Sequence, residues 1–137
     1  MARLIPLEFE LRHSYLQTAS GILVPITLVH GGQQVELKAR LDTGASDCLF
    51  DAHYADLLGI DVQSGLEKTY RTVVGSFRAF GHEVTILTLG FEWLATVFFY
   101  ESSNPANAFV GRRGWLDRVR LGLVHYEQDI YLSQYSR

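Results

Sequence analysis

The chain has 137 residues, 47% hydrophobic and 20% charged, the size and polarity of one folded domain, which excludes a two-domain enzyme and a disordered chain. Twelve Lys and Arg against fifteen Asp and Glu give a net charge of -3, so no global basic field exists to hold a nucleic acid. Cys48 has no second cysteine to pair with, Glu8 and Glu10 interrupt any apolar secretory leader, and no run approaches the roughly 18 apolar residues of a membrane helix, so the expectation is a cytoplasmic protein without a membrane partner.

The hydrophobic period is mostly two. Ile5, Leu7, Phe9 and Leu11 alternate with Pro6, Glu8, Glu10 and Arg12, which predicts a first strand, on a sheet edge because proline lacks a ladder donor. Ile22 to Val29 is a β-branched run, Gly31-Gly32 supplies a tight turn, and Val35, Leu37, Ala39 and Leu41 alternate with charged residues. That stretch predicts a hairpin. The period then changes: Asp51 is placed to cap a short helix carrying Tyr54, Leu57 and Leu58, with Gly59 at its end. Tyr70 to Val74, Glu83 to Leu89 and Trp93 to Glu101 read as strands separated by Gly75, Gly81 and Gly90. A polar turn over 102–107, one helical turn at Trp115 to Val119 and a last hairpin over Leu121 to Leu132, turning near Glu127 and Gln128, complete the chain. The expected fold is mainly β with one or two short helices, in one domain spanning residues 1–137.

The strand Val35 to Leu41 runs directly into Asp42-Thr43-Gly44-Ala45-Ser46. A carboxylate at the exit of a strand is held rigidly, the hydroxyl of Thr43 is able to bond across to a neighbour, and Gly44 lets backbone turn sharply and approach a ligand. One carboxylate alone does little. Two within hydrogen-bond distance cannot both ionise, so they share a proton and act as acid and base on a water between them.

Three ordered motifs carry a family resemblance. Ala39-Arg40-Leu41-Asp42-Thr43-Gly44-Ala45-Ser46, the glycine-bearing Val73-Val74-Gly75-Ser76-Phe77, and Phe109-Val110-Gly111-Arg112 followed by Trp115-Leu116 resemble the signatures of the retropepsin-like aspartic proteases, over about residues 20 to 133. The resemblance implies a closed β-barrel and a homodimer, with neither cofactor nor metal. Asp42 of each chain would activate a water, Thr43 would bond across the two-fold axis, and Gly44 would offer its backbone to an extended polypeptide substrate. Val73, Val74, Gly75, Ser76 and Phe77 would form a flap with Gly75 at its tip, while Ala45, Ser46, Val110, Gly111 and Arg112 would support the site. Pockets lined by Val73, Val74, Phe77 and Val110 would favour hydrophobic side chains beside the cut bond.

The chain departs from the family pattern in four places. Ser46 stands where several viral members carry an Asp that pairs with the arginine of the second signature, which leaves the partner of Arg112 open, with neighbouring Asp47 as one candidate. Arg113 replaces the usual Asn or Asp, the flap has one glycine where viral flaps have several, and Leu121 to Arg137 runs beyond the compact viral enzymes. The remaining groups have ordinary readings. His13, His30, His53, His82 and His125 lack metal-ligand spacing, Cys48 reads as a buried structural thiol, and Arg112, Arg113, Arg118 and Arg120 surround Asp117 as a solvated face. A dimer of the same fold that binds peptides without cutting them is the alternative reading.

Overall fold

The structure is a computed structural model that describes residues 2–18, 21–103 and 108–135. Strand β1 is Leu11–Ser14, β2 Gln17–Thr18, β3 Gly21–His30, β4 Gln33–Leu41 and β5 Leu49–Phe50, followed by helix α1 at Ala52–Leu57. Then come β6 at Leu66–Thr72, β7 at Gly75–Thr88, β8 at Phe91–Tyr100, β9 at Ala108–Val110, β10 at Val119–Val124 and β11 at Asp129–Gln134. Short 3₁₀ turns lie at Val62–Ser64, Leu116–Arg118 and His125–Glu127.

The strands form two sheets, β1-β11-β10 and β2-β3-β4-β9-β5-β8-β7-β6. In the larger sheet β3 also pairs with β7, so the ladder running from β3 through β4, β9, β5, β8 and β7 returns to β3. Inside it lie the fully buried Val24, Ile26 and Leu28 of β3, Val84 and Ile86 of β7, and Val97 and Phe99 of β8. Each such side chain contributes about 1.5–3 kcal/mol of burial. Ile130 and Leu132 of the small sheet, with Trp115, join the same core.

The β3–β4 hairpin forms as expected. His30 pairs with Gln33, and Gly31 and Gly32 take φ of 55° and 81°, the positive values that a two-residue turn of matching twist requires. Asp51 caps α1 by accepting from His53 N–H at 2.9 Å, and Gly59 follows the helix with φ of 71°.

Three expectations are corrected. The alternation from Ile5 to Leu11 is not a strand: residues 2–9 have no ladder partner among the described residues, with Leu4 93% and Ile5 79% exposed, and pairing begins at Leu11, opposite Leu132 of β11. Gly81 does not separate strands but lies within β7. A Cβ there would stand 3.0 Å from the Phe98 ring, so the glycine makes room for a packed aromatic on β8. Val73 and Val74 are not strand residues; they form the turn between β6 and β7, where Thr72 pairs with Gly75. Of the polar turn expected over 102–107, residues 104–107 lie outside the described residues.

Candidate active site

Parallel pairing of β4 with β9 brings the two expected signatures out of the sheet side by side. Leu41 registers with Val110, and Asp42 N–H donates to Val110 C=O at 3.0 Å. Beyond that point the chains are laced together. Arg112 N–H donates to Ala45 C=O and Arg113 N–H to Ser46 C=O, each at 2.9 Å. Gly111 is required by this contact: a Cβ at its position would stand 2.4 Å from Asp47 O and 2.7 Å from Ala45 O. The loop carrying Asp42 is therefore fixed by backbone bonds on the Gly111 side.

Within the loop, Asp42 is half-buried and Thr43 and Gly44 are exposed. Gly44 N–H donates to Asp42 Oδ1 at 2.9 Å, a turn closed by the aspartate's own side chain. That is the one hydrogen bond to the Asp42 carboxylate among the described residues. A Cβ on Gly44 would lie 3.3 Å from the same oxygen, so the glycine keeps the carboxylate open on that side. A rigidly based, half-exposed carboxylate is able to accept a proton or orient a water.

Asp47 lives differently. Its side chain is 4% exposed and takes Lys68 Nζ at 2.5 Å and Tyr70 O–H at 2.7 Å on Oδ2, and Arg113 Nε at 3.0 Å on Oδ1. Burial works to raise its pKa, but the bonds from Arg113, Lys68 and Tyr70 outweigh it and hold the group down at about 2. Arg113, not Arg112, is thus the arginine paired with Asp47; Arg112 is exposed and contributes its backbone. The sequence did not point to Lys68 and Tyr70 as partners of Asp47. Their only signal was a shared strand face, two residues apart.

The flap motif lies on the β6–β7 hairpin. Val73 and Val74 occupy its tip, 105% and 94% exposed, and Gly75 opens β7 with φ of 139°. Ser76 is exposed, and Phe77 is half-buried, stacked on Tyr70 at 5.1 Å between ring centroids. Ala45 and Ser46 are half-buried in the Asp42 loop. Val110 is fully buried in β9.

Cys48 is buried, as expected, and its thiol is pushed up to about 12 by that burial, which a bond from Gly111 N–H only partly offsets. Among the described residues no group of three His, Cys, Asp or Glu is arranged to hold a metal ion. A groove of about 830 Å³ lined by Pro25, Ile26, Leu37, Leu87 and Phe91 does not include Asp42 or its loop.

The fold defined by these pairings is that of a known class. The chain is similar to a retropepsin-like aspartic protease from Rickettsia conorii, with a TM-score of 0.65 and 19% sequence identity over 89% of this chain and 98% of that one. No protein-family model matches the sequence, and no curated protein matches it. The fold is retropepsin-like and mainly β, as the three motifs implied. No helix among the described residues is long and apolar enough to cross a membrane.

Proposed function

We propose that the protein is an aspartic endopeptidase that works as a homodimer, each chain supplying one Asp42. The observation that carries this reading is the Asp42 loop itself: in a retropepsin-like fold, a half-exposed carboxylate stands on a laced backbone with one oxygen engaged by Gly44 and the other without a hydrogen-bond partner among the described residues. One chain offers one Asp-Thr-Gly, whereas the chemistry needs two carboxylates. Two copies related by a two-fold axis supply them.

In the dimer the two Asp42 groups share a proton. The ionised one takes a proton from a bound water, which attacks the scissile carbonyl; the protonated one hydrogen-bonds the developing oxyanion. The leaving amine then receives a proton from the pair as the carbon–nitrogen bond breaks. Thr43 of each chain bonds across the axis and sets the separation of the carboxylates, and Gly44 offers backbone to the substrate. The peptide lies extended between this floor and the β6–β7 hairpin, paired through its main chain. Val73, Val74, Gly75, Ser76 and Phe77 close over it, with the apolar tip favouring hydrophobic side chains. The lone buried thiol suits a cytoplasmic setting, where no disulfide is needed.

The test is cleavage of an unfolded protein between pH 4 and 7, with and without a statine-type transition-state mimic. Inhibitor-sensitive cleavage that Asp42→Asn abolishes is the expected result. Undiminished cleavage by Asp42→Asn overturns the mechanism.

A further inference from the structure

The β6–β7 hairpin divides into two parts that differ in what holds them. From Ala79 onward β7 is paired to β8 on its other side, and Glu101 N–H donates to Arg78 C=O. Before that point the two strands have only each other, with Tyr70 opposite Phe77 and Thr72 opposite Gly75. Every residue from Arg71 to Ser76 is exposed. The side-chain bonds there, Thr72 Oγ1 to Gly75 C=O at 2.8 Å and Val74 N–H to Thr72 Oγ1 at 3.3 Å, stay inside the tip.

Immediately below the tip the contacts become dense. Tyr70 stacks on Phe77 and meets Phe98 edge-on, and Phe77 packs on Tyr100, so the root of the hairpin rests on β8. Lys68 Nζ lies 5.1 Å from the Tyr70 ring and 5.3 Å from the Phe98 ring, and delivers its charge to Asp47. Tyr70 donates to that same carboxylate. Asp47 in turn belongs to the segment that begins at Asp42, is bridged to Arg113, and lies against Gly111.

We propose that Asp47 is a positioning residue of this site. By holding Lys68 and Tyr70 from the hairpin root and Arg113 from the Gly111 segment on one carboxylate, it fixes where the hairpin stands relative to the Asp42 loop and confines opening to Arg71–Ser76. A buried carboxylate with three donors from two separate segments keeps its geometry only while all three remain in place, so root and loop move as one body. The tether is a property of the fold; its consequence for substrate rests on the aspartic-protease reading.

The experiment pairs amide hydrogen exchange with steady-state kinetics on wild type, Asp47→Asn, and the double variant Lys68→Met/Tyr70→Phe, which frees the hairpin while leaving Asp47 on Arg113. In wild type, amides of Leu66 to Tyr70 and Phe77 to Gly81 are protected and those of Val73 to Ser76 exchange fast. In both variants protection of the root falls by about tenfold or more while that of β3 and β4 holds. KM for a peptide substrate rises by about fivefold with kcat within about twofold, whereas a mere loss of folded protein lowers apparent kcat and leaves KM alone. Root exchange that stays at the wild-type rate in the double variant overturns the tether, and an unchanged KM overturns its coupling to substrate. Should Asp47→Asn lose protection throughout, the double variant decides. A wild type that cuts nothing overturns the proposed function instead, and the exchange measurement still decides the tether.

Discussion

Asp42 and Asp47 stand in one loop under opposite conditions. Among the described residues the Asp42 carboxylate has a single hydrogen bond, while Asp47 is buried under two cations and a phenol. Burial and its bond to Asp47 push the Tyr70 phenol upward, so it stays protonated as a donor. The carboxyl of Asp47 is ordinarily near 3.8 and falls to about 2 in the folded chain. A depressed pKa means that its stabilisation is fully present above about pH 4 and is lost as pH falls through 2, a contribution on the order of 1–2 kcal/mol once partly exposed partners are allowed for. Thermal unfolding from pH 6 to pH 2 checks this. The gap in Tm between wild type and Asp47→Asn is widest above pH 4 and closes toward pH 2; a gap independent of pH contradicts the assignment.

At the level of elements, local rules succeeded where partners were near in sequence. The Gly31-Gly32 hairpin, the Asp51 cap and the last hairpin turning at Gln128, with φ of 58°, all depend on neighbours within a few residues. Asp51 also accepts from Ser103 Oγ at 2.9 Å, so its loss affects both a cap and a loop. Asp51→Ala is expected to lower stability by about 1–2 kcal/mol in urea unfolding, with activity per folded molecule retained. Long-range partners were not legible. Ile5, Leu7 and Phe9 alternate as a strand does, yet pairing with β11 starts at Leu11. Gly81 looked like punctuation because the ring it accommodates, Phe98, is seventeen positions away. The Asp42 loop was legible because its residues are contiguous; the Lys68–Asp47–Arg113 bridge was not, because its members come from three separated stretches of chain.

For the whole molecule, the proposed mechanism, with one Asp-Thr-Gly in this sequence, makes activity a property of pairing. If each active site needs an Asp42 from both copies, subunits of Asp42→Asn poison those they meet. Mixing wild type with a ninefold excess of Asp42→Asn under exchanging conditions leaves about a tenth of wild-type subunits paired with each other, so cleavage falls to about a tenth. Activity that is undiminished by the variant means that one chain suffices. On the proposed mechanism, specific activity is expected to decline on dilution, which sedimentation at the same concentrations relates to dissociation. The thiol of Cys48 offers a different use of the same architecture. Its sulfur accepts from Gly111 N–H and donates to Arg113 C=O, both at 3.5 Å, in the seam between the two laced segments. Burial holds its pKa well above the usual thiol range, so the thiol stays protonated in the folded chain. A disulfide reagent therefore reaches it only when the seam parts, and the labelling rate becomes a clock for how often the floor of the site comes undone, readable without any substrate.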